Sequence, residues 1–234
     1  MKAVILCGGV GERMKPLTLD TPKPLLKIGG QAILEYVFEN LKKNNIFEVI
    51  LTVGYLKEKI IQYFGDGKKA GIKIEYLKED EKKNTAGSIL PLKGKLGENF
   101  IVMMGDQLTN INIEKMKKHH EKSGAIATIA LKKKGYRLEY GVVEIEKDLV
   151  KSFREKPVLE KYVNTGIYIF RKEIFSYIKE KEDFAKNVFP RLLEKGEKIS
   201  AYLMEEDWVD IGRLEDYQKL IEDKNECEKI KKMF

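Results

Sequence analysis

Short apolar runs and amphipathic stretches alternate along the first half of the chain. The apolar runs are typical of strands buried on both faces of a parallel sheet, and they lie at residues 3–6, 48–53, 72–77, 100–104 and 125–131. The stretches between them repeat apolar residues every three or four positions, which predicts helices at residues 31–44, 57–64, 87–92 and 113–123. Because this alternation requires crossover connections, we expect an α/β fold with a mixed, mainly parallel sheet.

The second half of the chain has a different pattern, with short β segments joined by turns. We expect strands at residues 140–145, 149–154, 163–170 and 199–204, and helices at residues 173–179, 185–195 and 214–234. A loop with polar edges is expected at residues 207–212. Because no internal repeat and no linker rich in Pro, Gly or Ser interrupts the chain, we expect residues 1–234 to form a single domain.

The first apolar run ends in a glycine-rich turn, Cys7-Gly8-Gly9-Val10-Gly11. Glycine lets a ligand approach the backbone closely, and consecutive exposed N–H groups in such a turn attract anions. Two cations follow, Arg13 and Lys23, and the second stands between Pro22 and Pro24. Together these residues predict a site for a polyphosphate; a glycine turn that only permits tight packing is the alternative.

This turn matches neither of two familiar phosphate-binding loops. The dinucleotide-binding pattern G-x-G-x-x-G would need a glycine where Met14 stands, and the next strand ends in Gly54-Tyr55 without a carboxylate for a ribose. A Walker loop would end in Gly-Lys followed by Ser or Thr, and this segment has no such ending. A nicotinamide oxidoreductase is therefore disfavoured.

A carboxylate is expected at the same edge of the sheet as the glycine turn. Asp106 follows the strand at residues 100–104, and the glycine turn follows the strand at residues 3–6. Because ligands of parallel sheets bind beyond the carboxyl ends of the strands, we expect both features in one site.

Composition narrows the class of protein further. The chain has 234 residues, of which 43% are hydrophobic, enough for a sizeable core. Its net charge of +7 comes from lysines interleaved with glutamates, which favours a solvated surface over a nucleic-acid partner. Its two cysteines have no metal-ligand neighbours, so zinc is disfavoured. With neither a signal peptide nor a membrane-length apolar run, we expect a cytoplasmic protein without a membrane partner.

Eight stretches of the chain resemble, in their order, the motifs of sugar-1-phosphate nucleotidylyltransferases. They span residues 7 to about 217 and read CGGVGERMKPLT, TPKPLLKIGG, TAGSI, MMGDQ, EYGVVEI, FREKP, VNTGIYIF and WVDIGRLEDY. The resemblance implies a Rossmann-like three-layer α/β/α nucleotide-diphospho-sugar transferase fold. It also implies a Mg²⁺-dependent reaction between an NTP and a sugar 1-phosphate, with a nucleotide-binding half at about residues 1–110 and a sugar-binding half at about residues 111–234.

The resemblance further implies roles for residues on the nucleotide side. Arg13 and Lys23 would be catalytic, with Arg13 on the β and γ phosphates and Lys23 near the α phosphate. Asp106 and Asp210 would bind Mg²⁺, which commonly takes one or two carboxylates with phosphate oxygens and water. The implied nucleotide-binding residues are Leu6, Gly8, Gly9, Gly11, Arg13, Asp80, Thr85 and Gly87.

On the sugar side, the resemblance implies a set of residues suited to hydroxyl groups and a phosphate. A carboxylate and an amide are good partners for hydroxyls, and Lys156 would take the sugar phosphate. The set favours a sugar phosphate over another acceptor such as phosphocholine, and it consists of Gly141, Glu155, Lys156, Asn164 and Gly166.

The sequence leaves the nucleobase and the sugar open. Where relatives often carry a base-binding glutamine, this chain offers Glu79, Asp80 or Glu81, and a carboxylate can accept hydrogen bonds from guanine N1–H and N2–H₂. The preferred substrates are therefore GTP and mannose 1-phosphate, and the alternative is glucose 1-phosphate with dTTP or UTP. A regulatory homologue that binds a nucleotide sugar without turnover is disfavoured because Arg13, Lys23 and both metal aspartates are present. The apolar face of the last helix is compatible with a homo-oligomer.

Overall fold

The computed structural model describes all 234 residues and is built around a seven-stranded sheet. The strands are β1 (Ala3–Cys7), β2 (Lys27–Ile28), β3 (Gln31–Ala32), β4 (Glu48–Val53), β5 (Lys73–Lys78), β6 (Asn99–Met104), β7 (Gln107–Thr109), β8 (Ala127–Arg137), β9 (Val142–Glu146), β10 (Leu149–Arg154), β11 (Val158–Arg171), β12 (Ile199–Leu203) and β13 (Trp208–Asp210). The helices are α1 (Ile33–Lys43), α2 (Lys57–Phe64), α3 (Asn84–Gly87), α4 (Ile113–Ser123), α5 (Phe189–Glu194), α6 (Leu214–Glu222) and α7 (Lys224–Met233).

The central sheet has the strand order β12-β8-β11-β6-β1-β4-β5. β1 lies parallel to β4 and β6, β4 lies parallel to β5, and β8 lies parallel to β12. β11 runs antiparallel between β6 and β8. The predicted mixed, mainly parallel sheet is therefore confirmed, and β1 lies inside it, between β6 and β4.

Helices cover both faces of this sheet because successive side chains of β1 point in opposite directions. Ala3 and Ile5 are fully buried in a cluster that includes the apolar faces of α1, α2 and α4. Val4, also fully buried, belongs to a second cluster with Phe184, just before α5, and Phe189, the first residue of α5. The three-layer arrangement follows from this two-sided burial.

A third apolar cluster supports the segment that comes after the glycine turn. α6 and α7 pack there on buried Met14, and Tyr217 Oη donates a hydrogen bond to the carbonyl oxygen of Lys27 at 2.7 Å. Tyr36 Oη from α1 donates to the carbonyl oxygen of Ile28 at 2.9 Å. The end of the chain thus fixes the segment that carries Lys23.

Near the end of the chain, the structure corrects two predicted elements. The predicted loop at residues 207–212 contains β13, which pairs with β7, and each of these strands has only three residues, too few to show a periodicity. The helix predicted at residues 214–234 divides at Asp223. The Asp223 side chain accepts hydrogen bonds from the N–H groups of Asn225 and Glu226, so it caps α7 instead of continuing α6.

Other predicted elements differ in length or type. Parts of the helices predicted at residues 87–92, 173–179 and 185–195 are 3-10 turns (Leu90–Leu92, Lys172–Tyr177) or a π turn (Phe184–Val188). By contrast, the strands predicted at residues 125–131 and 163–170 are longer in the structure. Their extensions, in β8 and β11, pair beyond the main sheet as a two-stranded arm.

Candidate active site

The glycine turn leaves β1 at the carboxyl edge of the sheet and opens onto a cavity. Gly11 has a φ of 69°, a left-handed conformation that favours glycine, and Thr18 Oγ1 donates a hydrogen bond to its carbonyl oxygen at 2.9 Å. At Gly9, a Cβ would meet nothing within 4 Å. A bound group can therefore approach the backbone at Gly9, while the turn itself is held at Gly11.

Two adjoining cavities share Leu6, Gly9 and Asp106 in their walls. The smaller has a volume of about 230 Å³ and is also lined by Arg13 and Lys23. The larger has a volume of about 600 Å³, within the range of cavities that hold small ligands. The predicted phosphate-binding turn and the predicted metal-binding aspartate therefore lie in one cleft.

Lys23 and Asp106 form an ion pair in the wall of the smaller cavity. Lys23 Nζ donates to Asp106 Oδ2 at 2.6 Å, and 9% of the lysine side chain and 33% of the aspartate side chain are exposed. Lysine is almost never buried so deeply without a counter-charge, so each residue fixes the position of the other.

The short β7–β13 ladder holds the second predicted metal ligand near Asp106, although Asp210 itself lines neither cavity. It sets Asp210 opposite Gln107, the residue that follows Asp106. Asp210 Oδ2 lies 3.0 Å from the position that a Cβ on Gly212 would take, and Gly212 lines the smaller cavity. No group of three or more His, Cys, Asp or Glu residues is arranged to hold a metal. Two carboxylates fit Mg²⁺, which fills its remaining positions with phosphate oxygens and water.

The predicted base-side carboxylate and its neighbour both line the larger cavity, but the first is exposed and the second is buried. Asp80 has a side chain that is 95% exposed and pairs with Lys57 at 2.6 Å. Glu79 is only 7% exposed, lines the larger cavity, and has no hydrogen-bond partner at Oε1. Burial raises the pKa of Glu79. The sequence offers Glu79, Asp80 and Glu81 together, and nothing in it distinguishes the buried Glu79 from its two exposed neighbours.

Of the other two residues predicted on the nucleotide side, one lines the cleft and one lies behind it. Thr85 lines the larger cavity, and its Oγ1 donates to Asp183 Oδ2 at 2.9 Å and accepts from the N–H of Phe184 at 2.9 Å. A Cβ on Gly87 would lie 2.8 Å from the backbone nitrogen of Lys181. Gly87 thus allows two segments to pack closely, and it does not line the larger cavity.

The residues predicted on the sugar side fall into two groups. Gly141 and Glu155 lie together at the base of the β9–β10 hairpin, where a Cβ on Gly141 would stand 2.9 Å from Glu155 Oε2. Lys156 follows with a left-handed φ of 44°. No hydrogen bond of the structure joins this group to Asp106 or to the glycine turn.

The second group lies against the cleft. Asn164 Oδ1 accepts from the N–H of Gly166 at 2.9 Å, and Asn164 Nδ2 donates to Tyr168 Oη at 2.9 Å. A Cβ on Gly166 would lie 2.8 Å from Met104 Cγ and 3.2 Å from Gln107 Nε2. Because these two neighbours flank Gly105-Asp106, Asn164 and Gly166 are held beside the predicted metal site.

The cleft contains one thiol, and its surroundings make it a poor nucleophile. Burial raises the pKa of the Cys7 thiol, and the Asp106 carboxylate raises it further. The thiol therefore stays protonated near neutral pH, where only the thiolate attacks. Backbone N–H groups, cations and carboxylates remain as the chemical groups of the site, which suit the binding of phosphates on an α/β scaffold.

The fold and the site together define an α/β protein with a polar cleft at the carboxyl edge of its sheet, and comparison with known proteins identifies its family. The Nucleotidyl transferase family model matches residues 2–226, and the chain belongs to that family. The resemblance drawn from the eight motifs is therefore confirmed.

Two curated relatives illustrate the range of the family. A "D-glycero-alpha-D-manno-heptose 1-phosphate guanylyltransferase" of Campylobacter jejuni is 39% identical over 93% of this chain and 97% of its own length. A "UTP--glucose-1-phosphate uridylyltransferase" of Synechocystis sp. is 34% identical over 94% of this chain, which spans 62% of that relative's length. Among solved structures, HddC from Yersinia pseudotuberculosis, complexed with GMP-PN, has a TM-score of 0.76 and 26% identity, covering 94% of this chain and 98% of its own.

The helices of the fold are short or polar. None of them combines the length and the apolar character that crossing a membrane would require.

Proposed function

We propose that this chain transfers a guanylyl group from GTP to a manno-configured sugar 1-phosphate, with mannose 1-phosphate as the preferred acceptor, in a Mg²⁺-dependent reaction. The observation that carries this proposal is the Lys23–Asp106 pair beside the glycine turn, at 2.6 Å. The guanylyltransferase relative and the GMP-PN complex of HddC support the choice of GTP. The manno-heptose in that relative's name supports the sugar configuration.

The reaction is an in-line displacement at phosphorus. An oxygen of the sugar phosphate attacks the α-phosphorus of the nucleotide, the new P–O bond forms, and the bond to the bridging oxygen of the β-phosphate breaks. Pyrophosphate leaves with that electron pair. Because the attacking phosphate is already ionised, no general base is needed, and catalysis depends on position and electrostatics.

The residues that the resemblance singles out each have a place in this scheme. The backbone N–H groups at Gly9 and Gly11 bind phosphate oxygens, Arg13 offsets the charge on the leaving pyrophosphate, and Lys23 serves the α-phosphate. Asp106 and Asp210 would hold Mg²⁺, which, when bound, neutralises negative charge on the phosphates. The sugar hydroxyls would be bound by Glu155 and Asn164, and the sugar phosphate by Lys156.

Two other functions are weighed against this proposal. Thymidylyl or uridylyl transfer to glucose 1-phosphate has support from the Synechocystis relative. A regulatory homologue without turnover would retain the nucleotide site but not the full set of charged residues. Arg13, Lys23, Asp106 and Asp210 are all present, which favours an active enzyme.

The test is a pyrophosphate-release screen with Mg²⁺. It crosses GTP, dTTP, UTP, CTP and ATP with the 1-phosphates of mannose, glucose, galactose, N-acetylglucosamine and manno-heptose. We expect release only when both substrates are present, with the highest rate for GTP and a manno-configured acceptor. Release with UTP or dTTP and glucose 1-phosphate alone would replace the proposal by the first alternative, and nucleotide-sugar binding without release would favour the second.

A variant of the metal site adds a second arm to the screen. Asp106→Asn keeps the shape of the side chain but removes its charge, so we expect turnover to fall about a hundredfold or more, as loss of metal stabilisation predicts. Asp66→Asn is the matched control, since Asp66 is exposed and pairs only with Lys68. Near-normal activity of Asp106→Asn under Mg²⁺ would refute the metal assignment.

A further inference from the structure

The exposed large apolar side chains of the chain are concentrated in one region. Ten of the eighteen lie within residues 136–162, which contain most of the two-stranded arm and the hairpin formed by β9 and β10. Single exposed apolar residues are normal on a soluble protein, but a cluster of this size marks an interaction surface.

The β9–β10 hairpin carries the centre of this cluster on one side. Val143 pairs with Phe153 across the two strands, and Ile145 pairs with Val150. Paired residues project to the same side of a ribbon, and residues two positions apart on a strand share that side. A bulge at Lys151 keeps Val150 and Phe153 on this side, although three positions separate them. Val143, Ile145, Val150 and Phe153 therefore form a continuous surface, the apolar hairpin face.

The other side of the hairpin is charged, and its charges are already paired. Glu144 and Glu146 alternate with the apolar residues of β9 and therefore point away from the apolar hairpin face. Arg154 binds Glu144 at 3.4 Å, and Lys151 binds Glu146 at 2.7 Å. The hairpin is therefore amphipathic, like a strand pair that packs one side on a core.

Within one chain, however, no core lies against the apolar hairpin face. Val150 and Phe153 are each 64% exposed, and no residue of the hairpin belongs to any of the three apolar clusters. The hairpin pairs with no third strand. Because an isolated two-stranded hairpin is at best marginally stable in water, this face needs a covering layer.

The chemistry of the face indicates which layer fits. It has no charged or hydrogen-bonding side chain, so a nucleic acid or an acidic peptide would find no complement there. The cleft of the same chain is lined mostly by glycines and polar residues, so it does not match an apolar face either. The arm and hairpin of a second copy do match it, because they present an apolar surface of the same kind and size, as a two-fold interface requires.

The available area is sufficient for a stable dimer. At about 100 Å² of exposed surface for each large apolar side chain, the ten residues of this region offer roughly 1,000 Å². A standard interface takes about 800 Å² from each partner.

We propose that two copies of this chain form a two-fold dimer through their apolar hairpin faces, and that this contact holds the sugar-binding residues in place. The second part rests on the proposed function. A Cβ on Gly141 would lie 2.6 Å from Phe153 Cζ and 2.9 Å from Glu155 Oε2, so the apolar face continues into the predicted sugar-binding group. Covering Phe153 therefore also fixes the base of the hairpin, where Glu155 and Lys156 stand.

Sedimentation of the purified chain tests the dimer without any substrate. At about 50 µM, above the dissociation constants usual for interfaces of this size, we expect the wild type to be dimeric. Val150→Lys brings one buried charge from each copy into the contact and should be monomeric. Leu193→Lys is the matched control, because Leu193 is also 64% exposed but lies in α5, and it should remain dimeric. Circular dichroism confirms that each variant is folded.

Hydrogen exchange of the wild type locates the contact without a substitution. The amides of β9 and β10 should exchange at least about tenfold more slowly at a dimeric concentration than at a monomeric one. A monomeric wild type, or a dimer whose hairpin exchange does not depend on concentration, would overturn the proposal. So would a dimer that Ile221→Lys, in α6, dissociates and Val150→Lys does not. Flotation of a monomeric wild type with phosphatidylcholine vesicles, lost in Val150→Lys, would make a lipid surface the occupant instead.

The kinetic arm separates the role of the dimer from its existence. Monomeric Val150→Lys should raise KM for mannose 1-phosphate by at least about tenfold and leave KM for GTP within about twofold, because the glycine turn lies outside the contact. An unchanged KM for the sugar phosphate would overturn the positioning role and leave the dimer standing. If no substrate pair gives a nucleotide sugar, the proposed function fails, and sedimentation and hydrogen exchange still decide the dimer.

Discussion

Variants that break the Lys23–Asp106 ion pair should show how much this pair stabilises the folded protein before substrate binds. Lys23→Met removes the charge and keeps the length of the apolar chain, and Asp106→Asn removes the opposite charge. Each single variant leaves the other charge without its partner, so each should be less stable than the wild type. The double variant leaves no unpaired charge and should recover part of the loss.

The geometry of the pair sets the size of the coupling. At the observed 2.6 Å, Coulomb attraction in an effective dielectric constant of about 20 amounts to about 6 kcal/mol. Desolvation of the lysine, whose side chain is only 9% exposed, opposes this by several kcal/mol, whereas the aspartate, 33% exposed, is desolvated less. We therefore expect a coupling free energy of about 1–3 kcal/mol in the double-mutant cycle.

Urea unfolding of the wild type, Lys23→Met, Asp106→Asn and the double variant, without Mg²⁺ and nucleotide, measures this coupling. The exposed pair Lys73–Glu48, at 3.2 Å, is the control, and the cycle of Lys73→Met with Glu48→Gln should show no measurable coupling. A coupling for Lys23 and Asp106 as small as that of the control would refute the conclusion that the two charges fix each other in the cleft.

Two further predictions concern stability around the site and far from it. A Cβ on Gly105 would lie 2.3 Å from Cys7 Sγ, so Gly105→Ala should destabilise the protein by about 1–3 kcal/mol in urea unfolding. An unchanged unfolding midpoint would show that the ends of β1 and β6 are packed less tightly than this distance indicates. Burial lowers the pKa of His120 to about 4, so on acidification the imidazole of the unfolded chain is protonated before that of the folded chain. The free energy of unfolding should therefore fall by up to about 3 kcal/mol as the pH drops from about 6.5 to 4. His120→Gln should flatten this part of the stability–pH profile, and a profile identical to that of the wild type would show that His120 does not cause the pH dependence.

The part of the site that the sequence predicts best depends on where strands end. Continuous apolar runs mark β1 and β6, and parallel strands bring the residues after their carboxyl ends to one edge of the sheet. The sequence alone therefore places the glycine turn and Asp106 together. It does not predict the contact of Lys23 with Asp106, because that contact joins residues 83 positions apart and depends on how α6 and α7 support the intervening segment.

The base side shows why local pattern can mislead. In β5 the exposed and buried residues alternate only from Lys73 to Glu75, and Tyr76 and Leu77 are both half-buried, so the strand pattern does not indicate that Glu79, the residue after its end, is buried. The β7–β13 ladder, which sets Asp210 beside the site, escapes prediction for a different reason, because strands of three residues carry no periodic signal. Both features depend on tertiary packing and not on local propensity.

The most direct test of the account is the identity of the product made from GTP and mannose 1-phosphate. The wild-type chain is incubated with Mg²⁺ and both substrates, and parallel reactions omit GTP, the sugar phosphate or the metal. Mass spectrometry of the complete reaction should show GDP-mannose and pyrophosphate in equal amounts, with neither in any omission. Pyrophosphate that forms without the sugar phosphate, or a complete reaction in which no GDP-sugar accumulates, would contradict guanylyl transfer as the function of this cleft.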